Sequence, residues 1–403
     1  MMRDEQVKIY VMTHKAFEAP PDAMYVPVHV GRAAWRREQE ELACAARKDK
    51  ERAALASYTG DDSGDNISDQ NCYFSELTGL YWVWKNVHDV DYVGTCHYRR
   101  YLLKHAGKMQ KAGEAQSREG EDFAHGGMFT AKEVRSVLAE YDVITTKSLQ
   151  LNYSYYEGFA SHHKVRYLDE TARVIAERHP EYGADFQRLV HGKHTYFGNM
   201  LICRKELYDQ YCDWLFDILF EVQGRATVEE EDSYHRRIFG FISEFLQYVW
   251  IVHNRCRVYE CMVGMFGEKA EVTEVKHRLA EYFARADYEG AKEYFLEARS
   301  RRPDILMEAS DITGELHLAM EVISIAGLEH RAYGTNLLER ISDFRDLMRY
   351  CNRLNRYAAQ LLRGEEQQEL AAWAGSGEVT EAAINVACAV MRAASGDCRF
   401  PME

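Results

Sequence analysis

A histidine and two arginines stand together in the segment "HYRRY", where they could bind a phosphate-bearing ligand. His97, Arg99 and Arg100 directly follow "DYVGTC", a short apolar run that predicts a buried strand. The planar guanidinium group of arginine matches the oxygens of a phosphate group. If the strand continues through the segment, His97 and Arg99 project to one side and Arg100 to the other. The alternative interpretation is that these residues anchor the sheet to acidic neighbours.

The acidic loop "GDDSGDNISDQN" (60–71) is a second candidate for ligand binding. Aspartate and asparagine next to glycine fold tightly, because their side chains bond nearby backbone groups. In one interpretation the loop only caps a helix, with Ser68 or Asp69 as the capping residue. In the other it holds a ribose or sugar hydroxyl, and the helix that follows lines the same pocket. The residues assigned to this pocket are Asp65, Asn66, Trp82 and Lys85.

Glu244, in "RIFGFISEFL", is a candidate for acid–base chemistry. No cation lies three or four residues away from it on its own helix, and it flanks the apolar stripe of that helix. The pattern predicts a half-buried carboxylate. Such a group either reaches a distant arginine or acts on a ligand.

A metal site has weaker support in the sequence. Asp61, Asp62 and Asp65 do not have the spacing of an EF-hand, since no glutamate occupies the twelfth position. The histidines in "HHK" (162–164) and "HGKH" (191–194) have no third ligand at a fitting spacing. The ten cysteines include no CxxC pair, which is typical of reduced thiols in a cytosolic protein.

These candidates are positioned by elements that predict an α/β fold. Short apolar runs predict strands at 7–14, 24–31, 91–96 and 141–146, with another inside "YFGNMLICRK" (196–205). Helical patterns cover 33–57, 74–87, 131–140, 206–222 and 229–254, and the charged stretch 104–127 predicts a loop or lid. The alternation of strands and helices favours a largely parallel sheet, in which ligands bind beyond the carboxyl ends of the strands. His14, Gly31 and His97 occupy such positions.

The chain changes character after about residue 268. Strand patterns vanish, and alanine, glutamate, arginine and leucine dominate. The segment "ADYEGAKEYFLEARSRRPD" has the spacing of one tetratricopeptide-like helical hairpin, with no clear second copy. We therefore expect an α/β domain over 1–267 and an all-helical appendage over 268–403.

Composition excludes several classes of function. The net charge of −14 over 403 residues argues against a nucleic-acid-binding protein, because such binding relies on lysine and arginine. No apolar run is long enough for a signal peptide or a membrane-spanning helix. We expect a cytoplasmic protein that could work at the inner face of a membrane.

Seven segments, taken in order, resemble the DUF4422 family over about residues 7–254. They are "KIYVMTHK", "YVPVHVG", "GDDSGDNISDQN", "ELTGLYWVWKN", "VGTCHYRRY", "YFGNMLICRKELYDQYCDWLF" and "RRIFGFISEFL". Members of this family occur in bacterial gene clusters for capsule, exopolysaccharide and O-antigen. They resemble glycosyltransferases of the GT-A type, and some are associated with galactofuranose transfer.

The resemblance implies a GT-A-like sheet that binds a nucleotide diphosphate sugar, with UDP-galactofuranose as one candidate donor. The acceptor would be a glycan or a lipid-linked glycan, and the protein would associate peripherally with membrane biosynthetic machinery. Glu244 is then the expected general base, with Asp232 as the second choice. The expected substrate-binding residues are His14, Asp65, Asn66, Trp82, Lys85, His97, Arg99, Arg100 and Asn199.

Metal use is where the sequence departs from many GT-A enzymes. Those enzymes carry an Asp-x-Asp motif after a central strand, where it holds a divalent metal on the diphosphate. Here His97-Tyr98-Arg99 follows the strand, and Asp89 and Asp91 precede it. Arginines could neutralise the diphosphate in place of the metal. No metal ligand is assigned, and Mn²⁺ or Mg²⁺ remains an alternative.

Two other functions compete with glycosyl transfer. A non-catalytic adaptor would bind partners through the helical region and keep the α/β half as a relic. A phosphatase or nucleotidyltransferase would act on phosphorylated small molecules. The sequence contains no phosphate-binding P-loop and no evident nucleophile, which argues against a phosphatase or nucleotidyltransferase.

Overall fold

A computed structural model describes residues 5–42, 50–104, 127–306, 310–365 and 368–394. The chain forms two compact units, Met1–Phe266 and Gly267–Glu403. Most of the predicted loop or lid, residues 105–126, lies outside the described residues.

The first unit is built on an eight-stranded mixed sheet. Its strands are β1 (Val7–Thr13), β2 (Tyr25–His29), β3 (Thr59–Gly60), β4 (Tyr92–His97), β5 (Arg100–Leu103), β6 (Val143–Thr146), β9 (Leu201–Arg204) and β10 (Val258–Met265). A separate two-stranded flap consists of β7 (Leu149–Gln150) and β8 (His194–Thr195). All five predicted strands are present, whereas β3, β5 and β10 of the sheet and both strands of the flap are additions that the sequence patterns missed.

The two halves of the sheet differ in strand direction. Strands β3, β2, β1 and β4 are parallel neighbours in that order, as expected. Beyond β4 the sheet is mixed, because β9 runs antiparallel between β4 and β6, and β10 joins β6 in parallel. Strand β5 pairs antiparallel with β10, and it follows β4 through a tight hairpin. The prediction of an α/β fold is confirmed, and the sheet is parallel only in its first half.

Helices cover the sheet of the first unit. They are α1 (Arg32–Leu42), α2 (Lys50–Ser57), α3 (Asn71–Phe74), α4 (Leu77–Asn86), α5 (Ala131–Leu138), α6 (Tyr155–His162), α7 (Arg166–Arg178), α8 (Pro180–Val190), α9 (Lys205–Arg225) and α10 (Ile238–His253). The predicted helix 229–254 begins later than expected, because two short 3₁₀ turns at 228–230 and 235–237 precede α10. The predicted helix 74–87 likewise begins after a break at Ser75.

The aromatic segments form the core beside the sheet. Tyr208 of α9 is fully buried, and its hydroxyl donates to the Leu80 carbonyl of α4 over 3.0 Å. Phe74 stacks on Phe239 with ring centres 4.7 Å apart. These contacts hold α9 against α4 and α3 against α10, and so fix the positions of the polar residues at the beginnings of α4 and α10.

The second unit is helical throughout its described residues. Its helices are α11 (Ala270–Ala284), α12 (Tyr288–Arg301), α13 (Glu315–Tyr333), α14 (Leu337–Arg340), α15 (Phe344–Arg363), α16 (Gln368–Ala374) and α17 (Glu381–Ala394). The tetratricopeptide-like segment forms α12, which packs against α11 as a hairpin. Its membership in a repeat stays a prediction. None of the helices described for this chain has both the length and the apolar character needed to cross a membrane.

Candidate active site

Polar side chains from several elements of the first unit meet at one edge of the sheet. Since β9 is antiparallel to β4 and β6, the residues just before β9 lie beside the residues that end β4. The beginnings of α4 and α10 reach the same edge. We call this group the strand-edge cluster, and its members are Glu76, His97, Arg100, Asn199, Arg237 and Glu244.

The segment "HYRRY" forms a hairpin, which corrects the expected directions of its side chains. His97 ends β4, Arg100 begins β5, and the two residues pair across the hairpin. Directly opposed residues of an antiparallel pair share a face of the sheet. Arg100 therefore lies with His97 and does not point away from it. Arg99 lies in the turn, with its guanidinium carbon 5.6 Å from the centre of the Tyr98 ring.

His97 is neutral near physiological pH. Burial lowers the pKa of His97 to about 3, and the charge of Arg100 acts in the same direction. Its Nε2 lies 3.1 Å from the Gly198 carbonyl oxygen, so Nε2 carries the proton and donates to that oxygen. The histidine thus positions the chain before β9, and the positive charge of the cluster comes from arginine.

Asn199 connects three elements of the cluster. Gly198 and Asn199 have positive φ angles of 103° and 49°, a conformation that asparagine tolerates better than most residues. Asn199 Nδ2 donates to Glu76 Oε1 over 2.8 Å and to the Gly240 carbonyl over 3.0 Å. Its Oδ1 accepts a hydrogen bond from the Ser243 hydroxyl over 2.8 Å. These bonds fix Glu76 and the first turn of α10 relative to β9.

Glu76 is a member of the cluster that sequence reasoning missed. It follows Ser75, whose φ of 51° and ψ of −128° break the helix between α3 and α4. A serine in this conformation is strained, and such strain often accompanies functional sites. Burial acts to raise the pKa of Glu76, but the Asn199 hydrogen bond and the Arg237 charge hold it below its ordinary value. Glu76 is therefore an anion at neutral pH.

Glu244 is a carboxylate whose ionisation falls near neutral pH. Burial raises the pKa of Glu244 to about 7, and the charge of Glu76 adds to this effect. The charges of Arg100 and Arg237 oppose it, as does a 2.9 Å hydrogen bond from the Gly198 amide to Oε1. A general base is most effective when its pKa lies near the working pH. The geometry thus supplies a base beside two fixed cations.

Arg237 is the second member that sequence reasoning missed. It directly precedes α10, and its Nε donates to the Ser75 hydroxyl over 3.0 Å. Its guanidinium carbon also lies 5.9 Å from the centre of the Phe241 ring. Both Glu76 and Arg237 occur in the segments that resemble the family, "ELTGLYWVWKN" and "RRIFGFISEFL". Their position in these two segments is the sequence feature that could have marked both residues as candidates for the site.

The acidic loop caps a helix, but the helix is α1 and not the one that follows the loop. Asp61 is fully buried at the beginning of α1. Its carboxylate accepts four hydrogen bonds, from the amides of Gly31 (2.8 Å) and Arg32 (3.1 Å) and from the hydroxyls of Ser68 (2.5 Å) and Thr78 (2.6 Å). A carboxylate at a helix N-terminus satisfies amides that lack partners within the helix.

The four residues assigned to a sugar pocket make contacts within the loop and helix α4. Asp65 accepts from the Tyr81 hydroxyl over 3.0 Å, Asn66 donates to the Gly64 carbonyl over 3.0 Å, Trp82 donates to the Ser63 carbonyl over 3.1 Å, and Lys85 Nζ lies 3.4 Å from the Trp84 ring centre. Lys85 lies about 13 Å along the helix axis from Glu76. Ligand binding by these residues stays a prediction.

His14 and Asp232 lie at two further positions. His14 is exposed directly after β1, and its ring centre lies 5.6 Å from that of Tyr98 in the hairpin turn. The Asp232 carboxylate accepts from the His235 amide over 3.0 Å and lies 2.5 Å from the His235 ring nitrogen Nδ1. Asp232 thus stabilises the turn before α10. Within the described part of the chain, no three or more His, Cys, Asp or Glu residues are placed to hold a metal ion.

Comparison with known proteins identifies the family. The family described as "Domain of unknown function (DUF4422)" matches residues 8–255, so the chain belongs to the DUF4422 family. Among solved structures, the chain is similar to WbbM, a bifunctional glycosyltransferase in its apo form, with 24% sequence identity and a TM-score of 0.53. The match covers 66% of this chain and 46% of that one, so the chain spans less than half the length of WbbM. No curated protein matches.

Proposed function

We propose that the protein is a glycosyltransferase of the GT-A type that moves a sugar from a nucleotide diphosphate sugar to a hydroxyl group of a glycan. The observation that carries the proposal is Glu244, a base with a pKa of about 7 held beside Arg100 and Arg237. The position of the cluster supports it, because α/β sheets bind ligands at this edge. The similarity of fold to a protein described as a bifunctional glycosyltransferase also supports it.

The residues suggest how the transfer would proceed. The acceptor hydroxyl attacks the anomeric carbon of the donor sugar, and Glu244 takes the hydroxyl proton. The bond from that carbon to the diphosphate oxygen breaks, and the electron pair stays on the departing nucleotide diphosphate. Arg100 and Arg237 stabilise the charge that develops there. Neutral His97 and ionised Glu76 hold Asn199 and the Gly198 amide in place.

The donor and the setting are finer parts of the same proposal. Family resemblance favours UDP-galactofuranose as the donor and a glycan or lipid-linked glycan of a surface polysaccharide as the acceptor. Such an enzyme would work in the cytoplasm at the inner face of the membrane. The two arginines provide the charge that Mn²⁺ or Mg²⁺ would otherwise supply to the diphosphate.

Calorimetric binding of uridine diphosphate tests the proposal. Wild-type protein should bind it equally well with and without Mn²⁺. Arg100→Gln should weaken binding by about 10- to 100-fold, because a hydrogen bond to a charged group is worth about 1.5–3 kcal/mol. Arg173→Gln is the matched control, because Arg173 is exposed on α7 and pairs with Glu170.

Two results would count against the proposal. Equal affinity in Arg100→Gln and wild type would remove the diphosphate from the strand-edge cluster. A wild type that binds no uridine diphosphate would favour another nucleotide or the non-catalytic adaptor.

A further inference from the structure

A second half-buried carboxylate, Glu260, has no part in the mechanism above. Its Oε1 accepts hydrogen bonds from the Tyr196 hydroxyl over 3.0 Å and from the Ser148 amide over 3.3 Å. Ser148 directly precedes β7 and Tyr196 directly follows β8, so Glu260 lies at the base of the two-stranded flap. Within the described ranges, Glu260 Oε2 receives no hydrogen bond from the protein. This oxygen is available to accept from a ligand.

Tyr248 connects Glu260 to the strand-edge cluster. It lies one helical turn after Glu244 on α10, and residues at this spacing are neighbours on a helix surface. Its ring packs edge-to-face on Tyr196, with the ring centres 5.3 Å apart. Tyr196 stands two residues before Gly198, whose amide binds Glu244. The group around Glu260 therefore begins within about one helical turn of the proposed base.

The flap and the segment that follows β7 expose two large side chains. Leu149 in β7 is 47% exposed, and Tyr153, which follows the same strand, is 56% exposed. Leu149 is adjacent in sequence to Ser148, whose amide binds Glu260. Exposed apolar and aromatic surface next to a hydrogen-bond acceptor suits a ligand with an apolar face and several hydroxyl groups. A sugar ring has this character.

Charge separates this region from the proposed donor site. Arg100 and Arg237 lie at the strand-edge cluster and attract a diphosphate, whereas a carboxylate at Glu260 repels one. Glu260 therefore suits a ligand that offers hydroxyl groups as hydrogen-bond donors better than it suits an anion. Because the Glu260 region adjoins Glu244, a hydroxyl of that molecule could be presented to the proposed base.

We propose that Glu260, Tyr196, Tyr248 and the flap form the acceptor subsite, which binds a neutral sugar residue through its hydroxyl groups. The inference rests on the proposed function, since it assigns the second substrate of the same reaction. Glu260 accepts from the sugar hydroxyls, and the exposed flap side chains cover the apolar face of the ring. These residues would then govern acceptor binding and leave donor binding unchanged.

Saturation-transfer NMR with simple methyl glycosides tests this subsite. The probes are the methyl glycosides of glucose, galactose, mannose, rhamnose and N-acetylglucosamine. Wild type should bind at least one of them, and Glu260→Gln should weaken that binding at least tenfold, because a charged acceptor is lost. Glu206→Gln is the matched control, since Glu206 is exposed in the first turn of α9. Uridine diphosphate affinity, measured on the same samples, should stay within twofold of wild type.

The outcomes separate the subsite from the proposed function. The subsite is overturned if wild type binds none of these glycosides, or if Glu260→Gln binds them as tightly as wild type. If Glu260→Gln loses uridine diphosphate binding through misfolding, exposed Tyr153→Ala decides instead, and unchanged glycoside binding then overturns the subsite. A wild type that binds a glycoside but no uridine diphosphate contradicts the donor site and leaves the sugar-binding region supported.

Discussion

The two units each contain a glutamate whose pKa is raised to about 7, and Glu244 is half-buried whereas Glu321 is fully buried. Glu244 lies at the sheet edge near two arginines and accepts a backbone hydrogen bond. Glu321 lies in the helical core with 1% of its surface exposed. Asn355 donates to its Oε2 over 2.7 Å, while its Oε1 is buried without a partner among the described residues.

A raised pKa identifies burial, and further features of the surroundings are needed to identify a functional site. Burial is the main cause of the shift in both residues. Only around Glu244 do we find cations, backbone strain at Ser75 and Asn199, and partly exposed neighbours. A substrate needs access and charge complementarity, which the core around Glu321 does not offer. We therefore assign chemistry to Glu244 and a stability effect to Glu321.

The largest expected effect is on catalysis by Glu244→Gln. The substitution keeps the shape of the side chain but removes the base, so turnover should fall by about 10²- to 10⁴-fold. Release of uridine diphosphate from a panel of UDP-sugars measures it, with Glu206→Gln as the control. A folded Glu244→Gln protein with nearly wild-type turnover would mean that another group takes the proton, and the contrast between the two glutamates would fail.

The second effect concerns the stability of the helical unit at alkaline pH. The pKa of Glu321 is about 7 in the fold and about 4.5 ordinarily, so its protonated form stabilises the fold below pH 4.5. This stability is lost as the pH rises from about 4.5 through 7, at a cost of about 3 kcal/mol. Glu321→Gln should remove this loss of stability, because glutamine does not ionise. The glutamine amide can also donate to the buried Asn355 Oδ1.

Hydrogen exchange of peptides from α13, at pH 5 and pH 8, measures this effect. In wild type the free energy of local opening should decrease at pH 8, and in Glu321→Gln it should stay nearly constant. Turnover at pH 7 should not change. If the free energy of local opening changes equally with pH in wild type and Glu321→Gln, the ionisation of Glu321 does not cause the predicted loss of stability.

The smallest expected effect comes from Lys85→Ala. Lys85 contacts the Trp84 ring near the end of α4, away from the strand-edge cluster, and a partly exposed contact of this kind contributes about 0.5–1 kcal/mol. Uridine diphosphate affinity should therefore change less than about threefold by calorimetry. A larger loss would support the sequence-based assignment of Lys85 to the donor pocket and would extend the site along α4.

Sequence reasoning placed the central strands and part of the site. Strands β1, β2, β4, β6 and β9 are continuous apolar runs, which a single sequence shows directly. Strand β5 begins at the charged residue Arg100, so the apolar pattern did not predict this strand or the hairpin that it forms with β4. His97, Arg100, Asn199 and Glu244 were all candidates, and the fold brings them together. Their roles stay proposed.

Long-range contacts explain what the sequence could not predict. The bond from Asn199 to Glu76 joins residues 123 positions apart, and no local pattern reports such a pair. The kink that positions Glu76 occurs at a serine, where a glycine would have signalled a positive φ. The sequence offers Asp61 only as a weakly supported metal ligand, yet it is fully buried and four donors surround its carboxylate.

The pH dependence of turnover tests whether Glu244 is the general base. If Glu244 is the base, kcat/KM of wild type should rise with pH and level off above about 7, because Glu244 must be ionised to take the proton. Glu76→Gln should shift the midpoint to lower pH, since the charge of Glu76 helps to raise the pKa of Glu244. A flat wild-type profile between pH 5.5 and 8.5, or a midpoint that Glu76→Gln leaves unchanged, would contradict the account.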